Sequence, residues 1–262
     1  MNKKRWILFW LCVAVAAVCF GYIAYHYATA RDNSDVYDTM REEVSQSIEN
    51  TTPEPEPAAE DTSDSVEIPI DFSSLQAENP DIYAWLLLPG TDISYPVVQH
   101  PTDNSYYLNY TIDNVYGYPG SIYTENYNSK NFTDFNTVIY GHNMNNGSMF
   151  GTLDKYKDNE YFQQNNQLII YTPDKQYTYR IFAAVSYNDR HLLVTFDTAG
   201  AEGRQEFLDS IYSCNGINDQ IDTGVPVDAN SKLITLSTCL NTKSDGRYLI
   251  EAVLTNEQSA KQ

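Results

Sequence analysis

The sequence predicts a mainly β domain that follows a membrane-type helix. After Ile68 the chain is rich in Tyr, Ile, Val, Phe and Thr, and Asn, Asp, Gly and Pro interrupt these residues at short intervals. β-branched and aromatic residues favour strands, whereas the interrupting residues favour turns. Many short strands separated by turns are typical of a closed barrel or a sandwich.

Eight segments have the composition expected of strands. Each is a run of β-forming residues bounded by turn residues. The segments are 83–88, 94–99, 121–125, 136–141, 167–172, 176–187, 232–238 and 247–254. A short polar loop joins the last two, so we expect them to form a hairpin.

Two helices are expected within this β domain. Phe72 and Leu75 lie on a short helix that ends before Asn79-Pro80. A second helix, between 203 and 214, has apolar residues at i, i+1, i+4 and i+7, which is the pattern of a helix with one buried face. The residues of that face are Phe207, Leu208, Ile211 and Cys214.

The first thirty residues differ from the rest of the chain. Basic residues at positions 3–5 precede an apolar run from Trp6 to Tyr25, long enough to cross a bilayer as a helix. Bases before the run and acids after it predict a cytoplasmic N-terminus. The run exceeds the roughly 7–15 apolar residues of a signal peptide, which favours an uncleaved anchor. Ala28-Thr29-Ala30 resembles a signal cleavage site, so a cleaved signal peptide remains the alternative.

The segment after the apolar run is acidic and rich in Pro and Glu. Alternating Pro and Glu in 51–65 predict an extended spacer, because such a segment cannot bury a core. Just before it, apolar residues recur every four positions, which leaves a short amphipathic helix and a frayed segment both open. These apolar residues are Val36, Met40, Val44 and Ile48.

The charge of the chain argues against nucleic acid as a partner. The formal net charge is -19, with 35 acidic and 16 basic residues. Phosphate binding requires clustered Lys and Arg, and the chain after the apolar run is acidic throughout. A solvated acidic surface is the simplest explanation of this charge.

A thiol, an imidazole and a guanidinium each lie at the end of a strand-like segment. The run Leu233–Thr238 ends at Cys239, and the next strand opens with Arg247. In a hairpin these two residues lie at the same end of the sheet. His142 follows the run 136–141. Together they are the parts of a cysteine acyl-transfer site.

The other histidines and cysteines have contexts that favour structural roles. His26 flanks the apolar run, His100 lies in a loop, and His191 lies in a solvated turn. Cys12 and Cys19 lie within the apolar run, and Cys214 lies on the buried face of a predicted helix. A disulfide between Cys214 and Cys239 remains open, since an exported domain permits one. No histidine pair has metal-ligand spacing and no Cys-x-x-Cys occurs, so we expect no metal.

Several ordered motifs resemble the sortase family, and more narrowly its class B. The carriers of the resemblance are T-L-S-T-C at 235–239 with Arg247, and Y-G-H-N-M at 140–144. Further matching fragments lie at 79–81 with Trp85, 89–91, 95–99, 104–108, 120–122 and 147–150. The resemblance covers roughly residues 70–256.

The resemblance implies a fold and an activity. The expected fold is a closed sortase-type β-barrel of about eight strands, with an N-terminal helical extension and an extra helix late in the barrel. The expected enzyme is a cysteine transpeptidase without a cofactor. It would cleave a C-terminal sorting signal of N-P-x-T or P-P-x-T-G type after Thr, through a thioacyl-enzyme. The acceptor would be an amine on a peptidoglycan precursor.

The resemblance also assigns roles to residues. Cys239 would attack the threonyl carbonyl, His142 would act as acid and then base, and Arg247 would stabilise the oxyanion. The residues expected to line the substrate groove are Asn104, Leu108, Tyr140 and Ser237.

The resemblance and the composition together predict the organisation of the chain. The expected parts are a cytoplasmic tail (1–5), a transmembrane signal-anchor (6–28), an acidic extracellular linker (29–67), a sortase catalytic domain (68–256) and a C-terminal tail (257–262). The enzyme would lie in the cell membrane as a single-pass protein with its catalytic domain outside. We therefore expect residues 1–30 to govern location, and a chain beginning near Val66 to remain active.

Two other functions remain open at this stage. A papain-like cell-wall peptidase would place its cysteine before its histidine and on a helix, which is the opposite of the order and setting here. A non-catalytic, membrane-anchored assembly protein would leave Cys239 with the reactivity of an ordinary thiol.

Overall fold

A computed structural model of the chain describes residues 3–51, 65–240 and 245–261. The helices are α1 (Lys3–Thr51), α2 (Phe72–Glu78), α3 (Tyr106–Asn109), α4 (Asn159–Gln164), α5 (Leu192–Thr195) and α6 (Ala201–Tyr212), with a 3-10 helix at Gly151–Lys157. The strands are β1 (Ser65–Val66), β2 (Ile82–Leu87), β3 (Ser94–Val98), β4 (Ile122–Thr124), β5 (Asn136–Tyr140), β6 (Gln167–Tyr171), β7 (Lys175–Asn188), β8 (Gln220–Ile221), β9 (Leu233–Cys239) and β10 (Gly246–Ala260).

The strands form one mixed sheet that closes into a barrel. Their order is β1-β10-β9-β5-β4-β3-β2-β6-β7-β8, and an additional pairing of β10 with β7 closes the sheet on itself. The two-residue strands β1 and β8 are additions beside the closed ring. The other eight strands are those expected from the sequence, so the mainly β, closed-barrel prediction is confirmed.

Strand alternation gives β9 and β10 one face toward the barrel interior and one face toward α6. Ile234 and Leu236 of β9 belong to the interior core. Leu233 of β9 belongs instead to a second core, which it shares with Leu249 of β10 and Phe207 of α6. Cys239 and Arg247 have the same parity as Leu233 and Leu249, so they lie at the upper edge of this outer face.

The predicted helices α2 and α6 are both present. Asp71 caps α2, because its side chain accepts a hydrogen bond from Ser74 N at 3.1 Å. Hydrogen bonds from the hydroxyls of Ser73 and Ser74, and then the one from Ser74 N, lower the pKa of Asp71 to about 2. In α6 the expected apolar face is buried. The short helices α3, α4 and α5 and the 3-10 helix were not expected, since none is long enough to show a helical period.

The N-terminal helix differs most from the sequence-based expectation. It runs without interruption to Thr51, so the first part of the predicted linker, 29–51, is helical. Tyr37, Met40 and Val44 are buried against the barrel core. This burial explains why apolar residues recur every four positions from Val36 to Ile48. Residues 52–64, which hold the Pro/Glu spacer, lie outside the described residues.

The C-terminal boundary also differs from the prediction. Strand β10 continues to Ala260, and Asn256 to Ser259 pair with β7. Most of the predicted tail, 257–262, is therefore strand. Its side chains are polar and show no alternation with apolar residues, so the sequence pattern does not predict a strand there. Backbone pairing with β7 makes this segment a strand.

Candidate active site

The hairpin of β9 and β10 brings the predicted nucleophile beside the predicted cation. The strands are antiparallel, and Cys239 is directly opposite Arg247 in their register. Side chains of directly opposite residues lie about 4.5–5.5 Å apart at Cβ, on the same face of the sheet. The sequence prediction that both residues lie at one end of the sheet therefore agrees with the structure.

The third predicted residue reaches the same end because β5 lies parallel to β9. Tyr140 of β5 is paired with Ser237 of β9. His142 lies two residues beyond Tyr140, and Cys239 lies two residues beyond Ser237. Parallel strands that end together thus carry the imidazole and the thiol past the same edge.

Hydrogen bonds join the turn after β5 to the end of β9. Gly141 N donates to Ser237 O at 3.2 Å, and Thr238 Oγ1 donates to Gly141 O at 2.7 Å. Asn143 Nδ2 donates to the carbonyl oxygen of Cys239 at 3.0 Å. The residues on both sides of His142 are therefore tied to the strand that carries the thiol.

His142 has defined neighbours of its own. Its Nε2 lies 2.8 Å from Leu108 O, and its ring centroid lies 5.2 Å from that of Tyr118. Behind it, a Cβ on Gly141 would lie 2.5 Å from Ile122 Cδ1 and 2.7 Å from the Phe150 ring. Only glycine allows the backbone to approach Ile122 and Phe150 this closely, so Gly141 helps to set the position of the next residue, His142.

Arg247 is half-buried and has few internal partners. Within the described ranges its one hydrogen bond goes from Nη1 to Gly246 O, and no carboxylate lies within ion-pair distance. Leu240 N, the first backbone donor after the thiol, already donates to Gly246 O at 3.0 Å. Most of the guanidinium is thus left to meet a substrate, and its fixed fork of donors suits an oxyanion.

A tyrosine-rich wall lies next to Arg247 and Cys239. The pKa values of Tyr123 and Tyr140 are raised, mainly by burial and then by the nearby Glu125 carboxylate. Their rings stack at 5.3 Å. Tyr140 Oη donates to Glu125 Oε2 at 3.2 Å. Both tyrosines are therefore neutral and offer an aromatic, weakly polar surface beside the thiol.

The four residues expected to line the groove have different positions. Leu108 is exposed and contacts His142 through its carbonyl oxygen. Tyr140 and Ser237 are paired in register just below the site, and Ser237 is buried. Asn104 accepts a hydrogen bond from Asn126 N at 2.8 Å, so its side chain holds the loop after β4.

Sequence reasoning missed three contributors to the site. Asn143 and Tyr118 contact Cys239 and His142, as described above. His191, expected in a solvated turn, instead has its Nε2 2.8 Å from Glu125 Oε2, and Tyr127 meets its ring edge-on. Asn143 was within the Y-G-H-N-M motif and could have been found there. Contacts between segments distant in sequence, such as the one between Glu125 and His191, leave no local signal.

The disulfide alternative does not occur in the structure. Cys214 and Cys239 are both free. No group of His, Cys, Asp and Glu among the described residues could hold a metal ion. The groups that the structure brings together at this site are an exposed thiol, an imidazole and a guanidinium.

Comparisons with known proteins identify the family of the chain. Residues 86–255 match the sortase domain family. The chain belongs to the sortase family, class B. It is 32% identical to sortase B of Listeria monocytogenes over 196 residues, which is 72% of this chain and 75% of the relative. It is 28% identical to sortase B of Staphylococcus aureus over 174 residues, 66% of this chain and 69% of the relative.

Solved structures support the same fold. A sortase B–substrate complex from Staphylococcus aureus superposes with a TM-score of 0.69 at 23% identity, covering 86% of this chain and 97% of that one. The resemblance to class B sortases seen in the sequence motifs is therefore confirmed. Because sortases are cysteine transpeptidases, the protein is an enzyme of this type. Arg5–Tyr25 is apolar and long enough to cross a membrane, a property that a signal sequence shares.

Proposed function

We propose that the protein cleaves a C-terminal sorting signal after threonine and transfers the threonyl carbonyl to an amine of a peptidoglycan precursor. Cys239, His142 and Arg247 carry the reaction. The observation that supports this most directly is the register of β9 and β10, which sets Cys239 opposite Arg247. The hydrogen bonds that tie the His142 turn to β9 add the third group.

The first half of the reaction is acylation. The Cys239 thiolate adds to the threonyl carbonyl, and the oxygen that becomes negative is held by the Arg247 fork. Collapse of the intermediate breaks the peptide bond, and the His142 imidazolium gives its proton to the departing amine. The products of this half are a Cys239 thioester and the released C-terminal peptide.

The second half transfers the acyl group. An amine of the acceptor adds to the thioester carbonyl, and neutral His142 takes a proton from that amine. The thiolate then leaves, and a new amide links the surface protein to the acceptor. One histidine serves both halves, because the two proton transfers run in opposite directions.

Substrate binding is proposed along the outer face of β5 and β9. Leu108, Tyr140 and Ser237 line this path, and Asn104 supports the adjoining loop. The signal would be of N-P-x-T or P-P-x-T-G type. We further propose that α1 anchors the enzyme in the cell membrane with its N-terminus in the cytoplasm, so that the barrel lies outside, where wall precursors occur.

The test is a peptide library of both signal types, incubated with the full chain in detergent, with and without an added amine. Mass spectrometry should find cleavage after Thr and, when the amine is present, a product that carries it. A cell-wall peptidase would give the same hydrolysis product at every amine concentration. No cleavage of any library peptide would support the non-catalytic alternative and contradict the proposal.

A further inference from the structure

The docked part of α1 reaches the segment that contacts His142. Tyr37 is buried, and its hydroxyl donates to Gly120 O at 2.6 Å and lies 3.0 Å from Ser121 Oγ. The same hydroxyl accepts a hydrogen bond from Ile112 N at 3.1 Å. One side chain of the helix therefore fastens both sides of the loop between α3 and β4.

Residues at both ends of that loop lie close to His142 in space. Gly120 has φ +65, and a Cβ there would lie 2.7 Å from Leu108 O. Leu108 O is the atom that lies 2.8 Å from His142 Nε2. Tyr118, whose ring faces His142, lies two residues before Gly120. Tyr37 thus holds a segment that touches the imidazole at its nitrogen and at its ring.

A second connection runs from α1 to the other side of the histidine. Arg41 Nη1 donates to Tyr95 Oη at 3.1 Å, and its guanidinium lies 5.2 Å from the Tyr95 ring centroid. Tyr95 Oη in turn accepts a hydrogen bond from Met149 N at 2.9 Å. Met149 forms a bridge with Asn143, the residue after His142.

The two connections start from residues one helical turn apart on α1 and meet at His142. Tyr37 and Tyr95 also meet edge-to-face at 6.0 Å, so the two paths support each other. Both begin on the helix that carries the apolar span, without a break between Lys3 and Thr51. The barrel alone, from 65 onward, lacks the hydroxyl and the guanidinium at the start of these paths.

We propose that Tyr37 and Arg41 are positioning residues for His142, so that docking of the membrane-side helix on the barrel completes the active site. The proposal deepens the function proposed above, because it rests on the role of His142 as acid and base. It also reverses one expectation from the sequence: a chain beginning near Val66 should lose activity, since it lacks both residues. Both residues act on His142 through the contacts of the loop between α3 and β4 and of Tyr95.

The test is nuclear magnetic resonance of the full chain in phospholipid nanodiscs, with its histidines labelled with carbon-13. The His142 ring signal is assigned by its loss in His142→Gln and then followed in Tyr37→Phe, Arg41→Met and the double variant. Phenylalanine keeps the ring of Tyr37, and methionine keeps much of the apolar stem of Arg41, so packing against Tyr95 is largely retained. The matched control is Tyr156→Phe, since Tyr156 is buried and its hydroxyl donates to Asn165 O at 2.7 Å.

The double variant should displace or split the His142 signal, and Tyr37→Phe should do so in part. Loss of a few tenths of an ångström in alignment should also lower kcat about tenfold while KM stays near its original value. Tyr156→Phe, which also removes one buried hydroxyl, should lower the melting temperature about as much as Tyr37→Phe does. It should leave the His142 signal and kcat unchanged.

An unmoved His142 signal in the double variant would overturn the proposal, as would an equal displacement in Tyr156→Phe. The signal is recorded without any substrate. If the protein cleaves no peptide, the proposed function fails, and the nuclear magnetic resonance result still decides whether α1 positions the histidine.

Discussion

Two thiols of the barrel domain have opposite surroundings. Cys239 is exposed at a strand end and faces Arg247 across the hairpin. Cys214 is half-buried just after α6, and its pKa is raised to about 11 by burial and then by the carboxylates of Asp219 and Glu251. A cation lies beside one thiol, and acids lie near the other.

The difference shows how position, rather than residue type, prepares a cysteine for chemistry. A thiolate is favoured by solvent and by a nearby positive charge, and it is opposed by burial and by nearby negative charge. The end of α6 supplies the opposing setting, whereas the hairpin end leaves Cys239 exposed with the Arg247 guanidinium opposite it.

The largest expected effect comes from removing each thiol in turn. Cys239→Ala should abolish cleavage of any sorting peptide without unfolding the barrel, because its side chain is exposed and fills no core space. Cys214→Ala should keep most activity. The measurement is peptide cleavage by both variants beside their circular dichroism. Turnover by the Cys239 variant together with a dead Cys214 variant would reverse the assignment.

The cation beside Cys239 should matter nearly as much as the thiol. Arg247→Ala and Arg247→Lys should both lower kcat by about 10²–10³, since lysine keeps the charge and loses the fork that holds an oxyanion. Arg180→Lys, at a half-buried strand position beside Asp222, is the matched control and should have little effect on kcat. A lysine variant with the original rate would make Arg247 an ordinary strand residue.

The reactivity of Cys214 should depend on pH in the way its surroundings dictate. With a pKa of about 11, its alkylation by iodoacetamide should rise about tenfold per pH unit from pH 7 to near 11. The experiment uses the Cys239→Ala variant, so that the barrel holds one thiol. A plateau of the rate below pH 9 would contradict the raised pKa.

The smallest effect on the reaction is expected from Glu251, one of the acids near Cys214, because its titration changes stability instead. It is fully buried, and burial raises its pKa from its ordinary 4.5 to about 8. The folded state therefore holds a proton that the unfolded state has lost, between about pH 4.5 and 8. Stability should fall as pH rises through this window, by at most about 1.4 kcal/mol per unit.

Replacing Glu251 by Gln should remove that pH dependence. The amide keeps the size and stays neutral, so the melting temperature of Glu251→Gln should change less than that of the original chain between pH 5 and 9. Parallel curves for the two proteins would show that Glu251 does not titrate in this window.

The eight barrel strands, and the position of Cys239, Arg247 and His142 at one end of the sheet, could be predicted because their signals are local. A β-rich run such as Leu233–Thr238 indicates a strand, and the short polar segment after it predicts that the next run is its hairpin partner. The extent of α1 could not be predicted, because the apolar spacing of Val36 to Ile48 becomes a helix face only when the barrel core covers it. The contact of His191 with Glu125 likewise depends on two distant segments meeting.

The central claim is that Cys239, and no other thiol, carries the acyl group. The most direct measurement is to mix the full chain with a cleavable sorting peptide, quench with acid within the first turnovers, and locate the added mass by tandem mass spectrometry. We expect an adduct equal to the peptide up to and including its Thr, attached to Cys239, and no adduct in Cys239→Ala. An adduct on Cys214, or cleavage with no thioester on any cysteine, would contradict it.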